Sequence, residues 1–309
     1  MNALAGVAYV PVTNCYLCGD SVSHERPWLR GVVDYESHTG TYDILYCERC
    51  ELGLTDPMPT PETVGLLYAA KDSPDFEEVR GTLFDRIKES VARRFLRSLP
   101  LAGEPHACLD FGSGNGRFAH VMGKTFPGAT VYAADLDDEA HEKSYFKMGV
   151  RKLSYAQLYA GDTRFDLIII RHVVEHMHDP VATLEKLYSM LTPTGIMYVE
   201  VPNLRSVMGR FFRRKWVFHY VPRHISHFTG PSLRRLASLA APGAKVELGK
   251  SEMPLFSPMI AILLGLPDNQ SPAIKAAGAA LYPLQLAAEK LGGQSTCLRA
   301  IFFGPARAA

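Results

Sequence analysis

The sequence predicts an α/β protein built on a doubly wound, mostly parallel sheet, and three observations predict it. Strand-like apolar runs alternate with helical patterns from His106 onward. The first run turns directly into a glycine-rich loop, LDFGSGNGRF at 109–118. Asp135 closes the second run, one helix and one strand beyond Gly116. Strands alternating with helices make a parallel sheet, with ligands at the carboxyl ends of the strands.

The elements follow in order. Between two CxxC pairs, YDILY (42–46) alternates as a strand does, and DPMPTPE (56–62) reads as a connector. Phe84, Ile87, Val91, Phe95 and Leu99 share one face of a helix that Pro100 and Gly103 end. ACLDF (107–111) is a buried strand, followed by the glycine turn and a helix through Val121. TVYAAD (130–135) is the second strand, and a helix is expected over 138–149. FDLIII (165–170) is the third strand, DPVATLEKLYSML (179–191) a helix, and IMYVEVP (196–202) a further strand. Helices are expected near 231–240 and 272–291, with a last strand at CLRAIFF (297–303). The domain reading is 1–55 for a cysteine module, 56–104 for a helical linker or lid, 105–250 for the sheet core, and 251–309 for helices and a strand that complete or cover it.

Composition sets bounds on function. The chain has 309 residues, 47% hydrophobic and 21% charged, which excludes wholesale disorder. A net charge of +1 gives no global electrostatic case for nucleic acid. The N-terminus lacks the basic region of a signal peptide, and the apolar run 259–266 is too short to span a bilayer. The expectation is a soluble cytoplasmic protein. In a reducing compartment, CxxC pairs favour metal over disulfides.

Gly112, Gly114 and Gly116 let the backbone turn tightly and approach a ligand. The spacing departs from the dinucleotide fingerprint, because Arg117 stands where that pattern needs glycine. A carboxylate at Asp135 can accept from both hydroxyls of a ribose, although Asp135 and Asp137 also precede a helix as caps do. Loop and carboxylate together indicate a nucleoside-containing cofactor.

LDFGSGNG, then AADLD, then FDLIIIRHVVEHMHDP, then YVEVPN resembles a class I S-adenosylmethionine-dependent methyltransferase, Rossmann-like in fold, over roughly residues 105–250. The resemblance implies that Gly112, Gly114 and Gly116 line the methionine part of the cofactor. It implies that Asp135 binds the ribose, and that Asp110 orients the loop or reaches the cofactor's amino group. The segment Leu153–Ala156 is expected near the adenine. His172 follows the third strand after Arg171, so it is expected beside the cofactor.

Cys15/Cys18 and Cys47/Cys50 form two knuckles, with residues 19–46 between them. Four thiolates with a closed shell suit structural zinc. Cys108 and Cys297 are not expected as ligands. A four-cysteine ribbon, then GLTDPMPTPE, then this core, then PRHISHFTGPSL (222–233) is similar to bacterial methyltransferases of sugar and secondary metabolism.

Methyl transfer to a hydroxyl or carbon acid needs a nucleophile held in line and a base. Six of the eleven histidines lie between 172 and 227. His176 and His224 are the expected bases, with Glu175 orienting a histidine or binding a substrate hydroxyl. HVVEH (172–176) also matches the inverted zinc-protease signature, which would place His172 and His176 on one helical face. Its place between FDLIII and the helix at 179 reads instead as a strand-to-helix junction.

No Asp or Glu occurs from Val201 to Val246, and RFFRRKW (210–216) interleaves cations with aromatics. This reads as a clamp for an anionic small molecule or glycan, as a peripheral membrane contact, as an RNA surface, or as a solvated face. The leading expectation is a small-molecule or glycan methyltransferase, O- or C-directed. A phosphorylated, nucleotide-linked or lipid-linked sugar is one acceptor of that class. The alternatives are an RNA methyltransferase with a zinc module and a non-catalytic cofactor-binding scaffold.

Overall fold

The computed structural model describes residues 6–69, 83–135, 148–253, 259 and 272–307. The helix expected over 138–149 and the apolar run 259–266 lie largely outside them.

The N-terminal part holds a short antiparallel pair, Tyr9–Val10 with Met58–Pro59, and a sheet that includes three antiparallel strands, β1 (Leu29–Val33), β2 (Thr41–Cys47) and β3 (Leu52–Asp56). The second cysteine pair sits in the turn between β2 and β3, where the Glu51 amide donates to the Cys47 carbonyl at 2.7 Å. Helix α1 (Leu83–Ser98) leads to the core. Its packing face differs from the expected one. Ala92, Phe95, Leu96 and Leu99 join the core, whereas Ile87 is 52% and Val91 64% exposed.

The core elements are β4 (Ala107–Phe111), α2 (Arg117–Thr125), β5 (Thr130–Asp135), β6 (Arg151–Ser154), α3 (Tyr155–Ala160), β7 (Phe165–Arg171), α4 (Pro180–Ser189) and β8 (Leu191–Pro202). After them come α5 (Val207–Phe212), β9 (Ser226–His227), α6 (Gly230–Ala240), β10 (Val246–Ser251), α7 (Pro272–Gly292) and β11 (Cys297–Phe303). One sheet runs β10-β11-β8-β7-β4-β5-β6. From β8 to β6 every pairing is parallel, and β11 runs antiparallel to both its neighbours. This is the doubly wound, mostly parallel sheet that the sequence predicts.

Helices on both faces explain the sequence of the central strands. A strand covered twice reads as a continuous apolar run. Ile168, Ile169 and Ile170 in β7 are all fully buried, as are Cys108 and Leu109 in β4. Local chemistry sets several helix starts. Asp179 caps α4, accepting from the Ala182 amide at 3.0 Å, with Pro180 in the first turn. Ser154 and Gln157 form a capping box on α3.

The short strand β9 leaves the core and pairs with β3, so the second sheet runs β9-β3-β2-β1. The Thr55 amide donates to the Ile225 carbonyl at 3.1 Å, and the Ile225 amide donates to the Glu175 carbonyl at 2.9 Å. The N-terminal sheet is thereby hydrogen-bonded, through one extended segment, to the loop after β7. Among the described residues, no helix is long and apolar enough to cross a membrane.

Candidate active site

The sheet order reverses at β4, with β5 on one side and β7 on the other. A crevice forms at such a switch point, beyond the carboxyl ends of the strands. The glycine loop follows β4 directly. Gly112, Gly114 and Gly116 have φ of +73°, +52° and +72°, the left-handed region that favours glycine. A Cβ on Gly112 would run into the side chain of Val173, whereas one on Gly114 would meet nothing within 4 Å. The residue of the HVVEH stretch that lies against Gly112 is therefore Val173, which the sequence alone did not single out.

Asp110 is the second-last residue of β4 and is buried, and its Oδ2 has no hydrogen-bond donor among the described residues. Burial pushes this carboxyl up to about 7, against the pull of the Arg171 charge. Asp135 ends the adjacent strand, and its carboxylate accepts from the Gly114 amide. The expected cofactor residues Asp110, Gly112, Gly114, Gly116 and Asp135 thus meet at one end of two neighbouring strands. Leu153 lies close to them on the next strand, beside Asp135's partner Ser154.

His172 is placed differently from the others. Its φ is +56°, and its amide donates to the Glu200 carbonyl at 2.9 Å. Its Nδ1 lies 3.4 Å from Glu175 Oε1, its Nε2 lies 3.4 Å from Glu200 Oε1, and its ring stacks on Phe218. Burial would lower its pKa, but Cys297, Glu175 and Glu200 hold it well above the usual histidine range. Burial would likewise raise Glu200, yet His172 and Arg171 keep it well below the usual carboxylate range. Arg171 Nε donates to Glu200 Oε1 at 3.0 Å. Arg171 and His172 therefore alternate with two buried carboxylates in the row Glu175–His172–Glu200–Arg171.

HVVEH is the expected junction. Val174–His176 form one turn of 3₁₀ helix, and His172 precedes it in the left-handed conformation. Glu175 is fully buried. The structure brings together the three expected catalytic residues. His224 Nε2 lies 3.8 Å from Glu175 Oε1, and the His176 and His224 rings meet edge-on with centroids 4.5 Å apart. His224 Nδ1 donates to the Phe218 carbonyl at 2.8 Å, and burial, then the neighbouring His176, holds its pKa well below the usual value.

Sequence reading missed Tyr68, Tyr220 and Arg223. The Tyr68 hydroxyl lies 2.8 Å from His176 Nδ1, and the Arg223 carbonyl lies 3.0 Å from the same nitrogen. A carbonyl only accepts, so Nδ1 carries the proton and donates to it. The Arg223 side chain is buried, donates to the Leu67 carbonyl at 2.6 Å and to Ser37, and lies over the Tyr68 and Tyr220 rings. Its Nη1 is 3.8 Å from Asp34, itself buried. Tyr68 stands 108 residues before His176, so no local pattern could have paired them.

The four cysteines converge as well. Their sulfurs lie within 4.8 Å of one another, with Cys18 and Cys47 3.6 Å apart, and all four thiols are free. Two bonds of about 2.3 Å at a tetrahedral angle span close to that separation. The Cys50 amide donates to Cys47 Sγ, which suits a thiolate. Burial pushes the Cys50 thiol up to about 12, a penalty on the thiolate that a bound cation offsets. The residues fit structural zinc.

The sheet order and the glycine loop at its switch point define a class I methyltransferase fold. Comparison with known proteins agrees: a family model described as a methyltransferase domain matches residues 82–241. The chain belongs to that methyltransferase family. The ubiquinone biosynthesis O-methyltransferase of Cereibacter sphaeroides is 31% identical over 150 residues, 45% of this chain and 60% of that protein. The protein of the same name from Dinoroseobacter shibae is 30% identical over 148 residues, 43% of this chain and 59% of that one. The chain thus spans about 60% of the length of the curated relatives it matches. Among solved structures, the plantazolicin methyltransferase BamL with a triazolic desmethylPZN analog and SAH aligns over 79% of this chain and 91% of its own, at 16% identity and TM-score 0.47. A putative sarcosine dimethylglycine methyltransferase from Galdieria sulphuraria aligns over 76% and 91%, at 15% identity and TM-score 0.49.

Gly112→Ala adds left-handed strain and overpacking against Val173, and is expected to cost about 2 kcal/mol or more. Gly114→Ala adds strain alone, about 1 kcal/mol. Denaturant midpoints read both, and Val173→Ala in the Gly112→Ala background is expected to recover part of the loss. A second expected outcome concerns His219, which burial pushes down to about 4 while its Nε2 donates to the Arg213 carbonyl at 2.8 Å. The unfolded chain takes up this proton below about pH 6.5 and the folded chain does not, so stability falls as pH drops from there towards 4. His219→Asn is expected to remove one proton of that slope, about 1.4 kcal/mol per pH unit. Unfolding measured at pH 4.5, 5.5 and 6.5 (roughly the window of the two pKa values) checks it.

Proposed function

We propose that the protein is an S-adenosylmethionine-dependent methyltransferase that methylates an oxygen of a small-molecule acceptor. The switch point of the sheet carries the reading. Three left-handed glycines, the hydrogen-bond-deficient carboxylate of Asp110 and the terminal carboxylate of Asp135 share it. When bound, S-adenosylmethionine supplies an electrophilic methyl group on a sulfonium. Gly112, Gly114 and Gly116 would leave room for its methionine part, and Asp135 would hold its ribose hydroxyls. Asp110 offers a buried acceptor to its ammonium. That positive charge would return the carboxyl to its ionised form, because an opposite charge offsets burial.

The acceptor end of the site is the cluster of Glu175, His176 and His224, bordered by Tyr68 and Tyr220. A hydroxyl nucleophile must lose its proton, and this cluster is where the chain takes it up. The names of the relatives support oxygen over carbon as the atom methylated. An anionic group on the acceptor is a finer reading. Exposed Arg210, Arg213, Arg214 and Lys215 support it, whereas Arg205 and Arg223 of the same stretch already pair with Glu51 and Asp34. Zinc on the four cysteines completes the proposal, in a structural role, because no ligand position is left open.

Calorimetry with S-adenosylhomocysteine, S-adenosylmethionine and NAD tests the central claim. Both adenosyl ligands are expected to bind at one per chain, NAD not at all, and Asp135→Ala is expected to weaken them at least ~10-fold, about 1.4 kcal/mol. Absent binding, or an unaffected Asp135→Ala variant, rejects the reading. The zinc claim is checked by cobalt replacement. The native chain is expected to show intense thiolate-to-metal absorption, and the Cys47→Ser, Cys50→Ser variant to lack it. Native protein without that band sinks the claim.

A further inference from the structure

Glu175 is fully buried in the loop after β7, and neither of its carboxylate oxygens has a hydrogen bond among the described residues. Buried polar atoms normally find a partner, so an orphaned carboxylate calls for an explanation. Two groups face it. His172 Nδ1 approaches Oε1 at 3.4 Å from the side of Glu200. His224 Nε2 approaches the same oxygen at 3.8 Å.

The second approach is the anomalous one. His224 spends its ring proton on the Phe218 carbonyl at 2.8 Å. Neutral His224 therefore turns the lone pair of Nε2 towards the lone pairs of Glu175. Two acceptors in a dry site repel unless a positive charge sits between them. Their separation of 3.8 Å is too long for a direct hydrogen bond. It is a span that two metal–ligand bonds of about 2.1 Å cover at an open angle. His176 supplies the third side. One ligand atom each from Glu175, His176 and His224 lie within 4.8 Å of one another.

We propose that Glu175, His176 and His224 bind a divalent first-row cation of the zinc type, at a second metal site separate from the four cysteines. The donor set is two imidazoles and one carboxylate, the set that leaves a coordination position open. The protein holds the ligands as such sites require. The Phe218 carbonyl fixes the His224 ring, and the Arg223 carbonyl and Tyr68 hydroxyl fix the His176 ring. This deepens the acceptor end of the proposed function and rests on it for the role: an acceptor hydroxyl in the open position would lose its proton more readily, and the second Glu175 oxygen, which needs no bond to the cation, would take that proton up. The binding of the cation itself rests only on the three side chains.

The test uses the full chain, stripped with chelator and titrated with Co2+ alone. Two equivalents are expected. One gives strong thiolate absorption, and the other gives only the weak bands of nitrogen and oxygen ligands. Glu175→Gln and His224→Gln are each expected to lose the second equivalent and keep the first. Retained thiolate absorption, with retained S-adenosylhomocysteine binding, shows that the variants fold. A wild-type chain that saturates without the weak-band equivalent overturns the proposal, as do variants that still take it up. Wild-type protein that binds S-adenosylhomocysteine but no second metal rejects this site and leaves the methyltransferase reading standing. Two metals without S-adenosylhomocysteine binding do the reverse.

Discussion

One extended segment, His224 to Phe228, is hydrogen-bonded on both edges, and most of the site depends on it. Its Ile225 amide is satisfied by Glu175, and its Ile225 carbonyl by Thr55. The Thr55 hydroxyl donates to the His224 carbonyl at 2.6 Å and lies 2.9 Å from His227 Nε2. Further on, the Leu204 amide donates to the Phe228 carbonyl, and the Thr229 hydroxyl donates to the carbonyl of Glu51, next to Cys50. Buried backbone groups left unpaired are costly, so this segment cannot shift without breaking bonds on both sides. The cysteine turn therefore acts at a distance. It shapes the start of β3, β3 seats His224–His227, and that segment seats Glu175.

Near the carboxyl ends of β7 and β8, the sequence has concentrated charge where a sheet core is otherwise apolar. Arg171 ends β7, and Glu200 is its paired residue on the parallel neighbour β8. His172 is then forced into the left-handed region, which costs a non-glycine residue about 1 kcal/mol. In return its ring lies between two carboxylates. Strain of this kind persists only where the surroundings over-determine it. Here the His172 amide to Glu200, the stacking on Phe218 and the packing of Val173 on Gly112 all hold the same turn. The glycine loop and the HVVEH stretch are thus one packed unit, and a change on either side is felt on the other.

The sequence made some of this legible and left the rest hidden for physical reasons. The apolar runs of β4, β7 and β8 are unmistakable because both faces of the sheet are covered. The three glycines and Asp135 signal themselves because each sits at a strand end, where local pattern and ligand geometry coincide. The antiparallel β11, inserted between β8 and β10, carries no local mark of its neighbours. The same is true of β9, a short strand that completes a sheet begun near the N-terminus, pairing His227 with Gly53. Helix α1 misled for a different reason. Ile87 and Val91 fit an apolar stripe, yet the core accepts the face one step round, with Ala92 and Leu96. Periodicity gives a stripe, and only tertiary packing chooses which edge of it is buried. Tyr68 and Arg223 were invisible because their roles come from contacts between segments far apart in the chain.

HVVEH shows why a local motif is read best through its fold. On a regular helix, His172 and His176 would share a face and hold one ion between them. The turn at His172 and the single 3₁₀ turn after it break that relation, and His172 faces the carboxylates of Glu175 and Glu200 instead. The partner that His176 does meet is His224, delivered by a later segment that the N-terminal sheet fixes. Glu175 then has His172 as one neighbour, and His176 and His224 as two more. His172 Nδ1 comes within 3.4 Å of Glu175 Oε1 without a hydrogen bond to it. His224, with Nδ1 held by the Phe218 carbonyl, turns Nε2 towards Glu175, so the chemistry between them is set by whatever electrophile enters. A proton, a hydroxyl of the acceptor or a cation each satisfies the same geometry, and a cation satisfies all three ligands at once.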